Sequence, residues 1–519
     1  MSRDCKSKCK DFMQIFYLRP KIIFCMSSLD WFVLTLTLAV IITYGLYKSR
    51  TSKNLDGYFL SNRSMPWYLV LLSIMGTQAS AITFISGPGQ AYTDGMRFVQ
   101  YYFGLPLAMI VISYFFVPVF SRLKVYTAYE FLEQRFDLKT RTLTSALFLI
   151  SRGLSTGISI FAPSIILSSL LGWNIYYTNL VMGGLLIIYT MSGGAKAVAH
   201  TQKLQMIIIF VALFLVGYIA VKMLPGAIGF ADALQIGRQN GKMNVITTGF
   251  TEKGFDWKDK YNLWSGIIGG FFLALSYFGT DHSQVGRYLT ARDESESKKG
   301  LLMNGLVKVP MQFFILLLGV LVFAFYQFHP APVIHTDSNI TTANSIFLHF
   351  VLDYLPQGLI GLIIAIIFLA AWGSIAAALN SLAACTVIDF HKKFFVKNET
   401  DVEDYKVSQW YTLAWGICCI IIAMFAYNIG NSLIEAVNII GSLFYGVILG
   451  IFLVAFWLKY IKENAVFVAA IISEILVILI YRQNIISFLW LNVIGAILVI
   501  ITGFLLQFVF NRGRLQKEL

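Results

Sequence analysis

The chain has 519 residues, 57% of them hydrophobic and 13% charged, and a formal net charge of +13. A soluble domain carries about 25% charged residues, so most of this chain faces something other than water and no large soluble domain is left over. The positive balance would suit nucleic acid or acidic lipid, but its distribution assigns it to the connections between membrane helices.

Residues 1–25 carry Arg3, Lys6, Lys8, Lys10, Arg19 and Lys21 and lack the continuous apolar core of a signal peptide. Met26, followed by the first apolar run, is the expected start of translation, which makes 1–28 an extension ahead of the first span. An apolar run of about 20 residues crosses the hydrocarbon core. The pattern predicts about thirteen such helices. They fall over 29–47, 66–91, 98–120, 142–171, 174–192, 202–224, 261–281, 308–328, 357–388, 409–428, 433–458, 464–481 and 486–510. Alternate connections differ in Lys and Arg, which sets orientation. Segment 48–65 holds Lys48, Arg50, Lys53 and Arg63; segment 121–141 holds Arg122, Lys124, Arg135, Lys139 and Arg141; segment 282–308 holds Arg287, Arg292, Lys298, Lys299 and Lys308. Segments 329–356 and 429–432 hold neither residue. The basic connections are therefore expected in the cytoplasm of a cell (inner) membrane protein, with the N-terminus outside and the tail 511–519 inside.

Two spans are interrupted. The second reads MGTQASAITFISGPGQAY, with Gly76, Gly87, Pro88 and Gly89, and the seventh reads GGFFLALSYFGTDHSQVGRY, with Gly279, Asp281 and Gly286. Gly and Pro are common in membrane helices without any special role. A matched pair five spans apart, with polar residues at each break, instead points to a midplane binding site. Each interrupted span opens one half of a five-plus-five inverted repeat, 66–224 and 261–458, with two further helices over 464–510. Unwound backbone offers carbonyls to cations and amide ends to anions.

Arg152 lies about ten residues into the fourth span, roughly 15 Å deep. A guanidinium there costs about 2.5–3.5 kcal/mol or more unless it faces a polar cavity. Its fork suits a carboxylate in two-point contact; the alternative is a structural pair with Asp281 or a helix end. Asp281 is the one carboxylate expected in the core of the seventh span, where it bonds substrate, pairs with Arg152 or titrates. The cysteines, Cys5, Cys9, Cys25, Cys385, Cys418 and Cys419, show no metal spacing, and neither a phosphate-binding loop nor an HExxH motif occurs. ATP drive and zinc chemistry have no support. A lipid-modifying membrane enzyme would need converging His, Asp or Glu, which the scattered histidines do not supply; no signalling domain or ring-forming channel filter is seen either.

Four stretches in order, SAITFISGPGQAYTDG, SRLKVYTAYEFLEQRFDLKTR, GTDHSQVGRYLT and IFLAAWGSIAAALNSLAACTVIDFHKKF, resemble the successive signatures of the sodium:solute symporter family over nearly all of 29–460. The pattern around 77–152 is most similar to its sialic-acid transporter branch. The resemblance implies an all-α membrane protein of leucine-transporter-like architecture. It also implies a sodium ion held by the carbonyls of Gly76, Ala79 and Ala370 with side chains at 373 and 374. A small hard cation suits such oxygens. Ser374 keeps its hydroxyl, although it could simply bond back to its own helix. Gly373 lacks the usual serine oxygen, so affinity is expected to fall and Gly373→Ser to strengthen it. A second sodium site of some relatives corresponds to Ala376, Ala377 and Gln202, where no hydroxyl or carboxylate remains. Neighbouring Lys203 is either a surrogate for sodium or an ordinary cytoplasmic charge. Gln78, Ser80, Thr83, Phe98 and Arg152 match substrate positions; Gln284, Arg287 and Tyr288 resemble an inner-gate signature. Ser283 stands at the place expected for a sugar-stacking tyrosine.

The expected function is cation-coupled, sodium-driven symport of an organic solute, an acidic sugar or organic anion, by alternating access. The alternatives are a neutral sugar or polyol cargo and a proton-coupled or sodium-independent variant. The expected partners are a small-molecule solute, sodium and the bilayer, with no nucleic acid and no obligate protein partner. A reporter fused after Lys397 is expected in the cytoplasm and one inserted within 335–345 outside; opposite labelling contradicts the charge argument.

Overall fold

The computed structural model describes residues 26–48, 54–226, 228–332, 342–395, 401–426 and 433–518. The basic stretch 1–25 and the reporter positions after Lys397 and at 335–341 lie outside these residues. Among the described residues, 10 helices are long and apolar enough to cross a membrane, and Trp67–Gln78, Ile175–Met191 and Ser265–Gly279 are shorter apolar helices. Large apolar side chains such as Ile188, Phe214 and Leu505 stand exposed on the outer faces. In water such a surface would aggregate; in lipid it is the favourable one.

The membrane helices are α1 (Ser28–Lys48), α2 (Trp67–Gln78), α3 (Ala81–Asp94), α4 (Leu138–Leu171), α5 (Ile175–Lys222), α6 (Gly270–Gly279), α7 (His282–Tyr288), α8 (Glu294–Phe325), α9 (Leu359–Cys385), α10 (Asp401–Phe425), α11 (Leu433–Trp457), α12 (Glu463–Arg482) and α13 (Phe488–Glu518). The third span is a 3₁₀ turn, Gly95–Tyr102, continued by helical segments to Leu123.

Several boundaries differ from the sequence expectation. The second span breaks at Ala79 and Ser80, both extended, and not at Gly87–Pro88–Gly89, which lie inside α3. Those small residues serve packing: a Cβ on Gly319 of α8 would fall 2.0 Å from the Pro88 carbonyl. The spans expected at 174–192 and 202–224 are two helices within the range α5, meeting at a kink at Gly194, whose φ of 57° few other residues adopt. The connections are also more ordered than expected, with helices Phe230–Gln239 and Thr342–Tyr354 and a short antiparallel hairpin pairing Phe250 with Phe255.

The charge argument needs correction too. Arg287 and Lys308 belong to α7 and α8 and are only 1% exposed. Helix α8 starts at Glu294, capped by Asp293, so residues read as a basic connection lie within it. Arg292 and Lys299 remain exposed in that segment. Arg141 is likewise buried, bonding Asp389, while Thr127 and Ser145 donate to the same carboxylate at 2.8 Å each. Glu133 joins Arg141 to Lys393. Burial would raise the Glu133 carboxyl, but Lys393 and Arg141 hold it below its ordinary value. This lock is therefore complete at neutral pH and weakens as pH falls through that lowered value.

Two close approaches position the site. Asp30 of α1 accepts the backbone N–H groups of Gly358 (2.6 Å) and Gly361 (3.1 Å), tying α1 to the first turn of α9. The third span and the seventh meet backbone to backbone: a Cβ on Gly104 would lie 2.1 Å from the Phe271 nitrogen, and one on Gly266 2.1 Å from the Gln100 carbonyl. Small residues permit such crossings in membranes. Gly104→Leu is expected to destabilise the protein by about 1–3 kcal/mol or more through overpacking. Fluorescence-detected size exclusion after a heating series checks this; an unchanged melting profile contradicts it.

Candidate functional site

A cavity of about 110 Å³ lies between the two helix breaks. Gln78, Ser80 and Thr83 line it from the first break, Tyr277 and Phe278 from the end of α6, Arg152 from α4, and Asn438 and Tyr445 from α11. Bound small ligands generally need about 300–1,000 Å³, so this cavity must widen to take a solute.

The charged element of the site is built from the second break. Asp281 is the N-cap of α7, and its carboxylate accepts the Ser283 N–H at 2.8 Å. A carboxylate is favoured at a helix N-terminus by the free amides and the helix dipole, so Asp281 is fixed there by its own helix. Arg152 reaches it from α4 and forms an ion pair. Tyr445 completes a triangle, accepting from Arg152 Nη2 at 3.2 Å and donating to Asp281 Oδ2 at 2.8 Å. The Arg152 guanidinium also lies 5.3 Å from the centre of the Tyr277 ring. Its Nε has no hydrogen-bond partner among the described residues. Arg152 thus makes the pair with Asp281 that the sequence offered as the alternative, and it also lines the cavity.

Other sequence-derived positions are distributed as follows. Gln78 presents a buried Oε1 without a partner among the described residues. Phe98 is fully buried behind the wall, its ring stacked on Tyr101 (centres 5.5 Å apart) and edge-to-face with Tyr261 (5.0 Å), and does not line the cavity. Tyr101 and Tyr102 do line it. Ser283 points no hydroxyl at a partner and lies beyond the break, whereas Tyr277, four residues before Asp281, presents an aromatic ring to the cavity. The sequence signal for Tyr277 was its place on the turn before the break. Asn438 and Tyr445, seven residues apart on one helix face, were also missed; Tyr101 donates to Asn438 at 3.1 Å.

The residues expected to hold the cation lie at the end of α2 and on α9, with α5 packed against both. The last carbonyls of a helix lack intrahelical partners and carry its negative end, which describes Gly76 and Ala79. On α9, Ala370 is buried, and Ser374 donates its hydroxyl hydrogen to the Ala371 carbonyl at 3.0 Å. That bond leaves the lone pairs of the serine oxygen available, so back-bonding and cation ligation are compatible. Gln202 wedges between the helices: it accepts from Ser73 at 2.8 Å and donates to Thr77 at 3.2 Å and to the Gly373 carbonyl at 3.1 Å. A Cβ on Gly76 would collide with its side chain at 2.8 Å. Ala376 and Ala377 pack with Tyr189 and Val198 in a buried cluster, and neither alanine brings a side-chain oxygen to it. Lys203 extends elsewhere, its ammonium 5.8 Å from the ring of the exposed Tyr68.

Paired broken helices around a cavity that a buried ion pair faces are the architecture of an ion-coupled secondary transporter. The model of the sodium:solute symporter family matches residues 58–473, and the chain belongs to that family. It is 26% identical over 499 residues, covering 95% of both chains, to the sodium/sialic acid symporter of Aliivibrio fischeri. It is 29% identical over 441 residues, 82% of this chain and 66% of the relative, to the sodium-dependent multivitamin transporter of Oryctolagus cuniculus. A solved structure of a Na⁺-coupled sialic acid symporter, substrate-bound and outward-open, superposes with a TM-score of 0.83 at 26% identity, covering 93% of this chain and 98% of that one. The protein is thus a sodium-coupled multi-pass membrane transporter and not an enzyme.

Removing one partner of a buried ion pair strands the other charge, at about 3–5 kcal/mol. Asp281→Asn is expected to lower the unfolding temperature of purified protein more than Asp281→Asn combined with Arg152→Gln. Equal or additive losses contradict a direct pair.

Proposed function

We propose that this protein imports an acidic sugar of the sialic-acid class together with one sodium ion. The proposed orientation has the N-terminus outside and the C-terminus in the cytoplasm of the cell (inner) membrane. The observation that carries the reading is Arg152: a buried guanidinium at a polar cavity, with an N–H left unclaimed beside an internal carboxylate. The named cargo of the Aliivibrio relative and of the superposed structure supports it.

The geometry suggests the order of events. In the closed cavity Asp281 satisfies Arg152 and makes the buried charge tolerable. A substrate carboxylate entering from the wider side takes the guanidinium edge that Asp281 leaves open, and Tyr445 re-bonds as the triangle loosens. Ser80, Thr83 and Gln78 offer hydroxyl and amide groups to the sugar ring. Sodium bound between the end of α2 and α9 favours one arrangement of these helices over the other. A ligand shifts such an equilibrium only through its differential affinity for the two states. Solute and ion then move together.

Uptake of radiolabelled sialic acid into proteoliposomes tests the reading. Arg152→Lys is expected to raise the substrate constant at least about tenfold, because a point charge replaces a two-point fork. Normal transport by that variant, or preferential uptake of a neutral sugar, contradicts the acidic cargo. Initial rates should follow sodium with a Hill coefficient near one, and Ser374→Ala should remove most of the sodium dependence. Transport that ignores sodium, follows the pH gradient and fails in Lys203→Ala would contradict sodium coupling.

A further inference from the structure

The cation cradle has one oxygen fewer than a small hard ion prefers, because position 373 is glycine. The structure shows what stands in the vacated space. A Cβ built on Gly373 would fall 2.6 Å from the Oε1 of Gln205, and 3.3 Å from the Cγ of Gln202. A serine hydroxyl branching from that Cβ would compete for the volume that the Gln205 amide oxygen already occupies.

Gln202 and Gln205 are three residues apart on α5 and so share a helix face. Their amides are used differently. Both ends of the Gln202 amide are engaged, with Ser73, Thr77 and the Gly373 carbonyl. Gln205 is 3% exposed, yet its amide makes no hydrogen bond among the described residues. The neighbouring Gln202 shows that this helix face can satisfy an amide where bonding is its task. An amide oxygen is a normal ligand for a hard cation and needs no deprotonation.

We infer that Gln205 supplies through Oε1 the cation oxygen that Gly373 lacks, so that the sodium site is shared by α2, α5 and α9. This rests on the sodium-coupled reading above. It reverses the sequence expectation for Gly373→Ser. The added serine exchanges one oxygen for another, because the end of the flexible Gln205 side chain must give way to it.

The test is sodium binding to purified protein, read as the sodium dependence of its unfolding temperature and as direct binding of radioactive sodium, with no transport required. Gln205→Met keeps the bulk and removes the oxygen; it is expected to raise the sodium constant about tenfold. Gly373→Ser alone is expected to change it less than about threefold. Combining Gly373→Ser with Gln205→Met is expected to restore the constant to within about threefold of the unaltered protein, since the serine hydroxyl then fills the vacated place. Unaltered affinity in Gln205→Met overturns the inference. So does a weakened Gln205→Met that Gly373→Ser fails to rescue, which would make the loss one of packing. If the unaltered protein itself shows no response to sodium, the sodium-coupled reading fails, and the inference with it.

Discussion

Two opposite charges are held in a membrane interior that would reject either one alone. Arg152 on α4 and Asp281 at the start of α7 are 11% and 0% exposed in their side chains, and each makes the other tolerable. Asp281 is anchored by capping its own half-helix, which requires the seventh span to be broken where it is. Tyr445 bridges the pair from α11, and Tyr277 covers it. Thus one ion pair ties together elements from both halves of the molecule around a small cavity. Under the proposed function, an incoming carboxylate would find its binding group already partnered, which would couple binding to rearrangement of the helices.

The cation side obeys the same economy of polar groups. A helix that stops at Gln78 exposes carbonyls at depth, where no water compensates them. Gln202 satisfies part of this surface and cements α2, α5 and α9, while apolar packing of Ala376 and Ala377 closes the space of a second ion. Glycines at 76 and 373 are needed because the glutamine side chains of α5 fill the room their side chains would take. Sodium held at the proposed positions would act on this same contact between helices.

Much of this was legible in the sequence because it depends on local rules. Apolar run length marked the candidate membrane helices, and two interrupted spans marked the two breaks. The mid-span depth of Arg152 marked it as functional or paired. What was not legible depends on which face a residue presents. Lys308 and Arg287 read as connection charges because they follow a break, but α7 and α8 bury them. Gly76, Gly87, Pro88 and Gly89 marked the second span as interrupted without fixing the point, and the backbone unwinds at Ala79 and Ser80 while Gly87 packs against Ile315 of α8. Tyr277, Asn438 and Tyr445 carry no motif of their own, and only the crossing of helices brings them to Arg152. The contribution of Gln205 was hidden for the same reason, since Gly373 and Gln205 are neighbours only in three dimensions.

The most direct measurement of the central claim is calorimetric titration of purified protein, in sodium buffer, with sialic acid and with its neutral methyl ester. The two differ only in the charge offered to Arg152. The account predicts that the acid binds tighter than the ester by about a hundredfold or more, because the site's buried guanidinium is otherwise left to its internal partner. It further predicts that replacing sodium with a large organic cation weakens binding of the acid. Equal affinity for acid and ester would contradict the account.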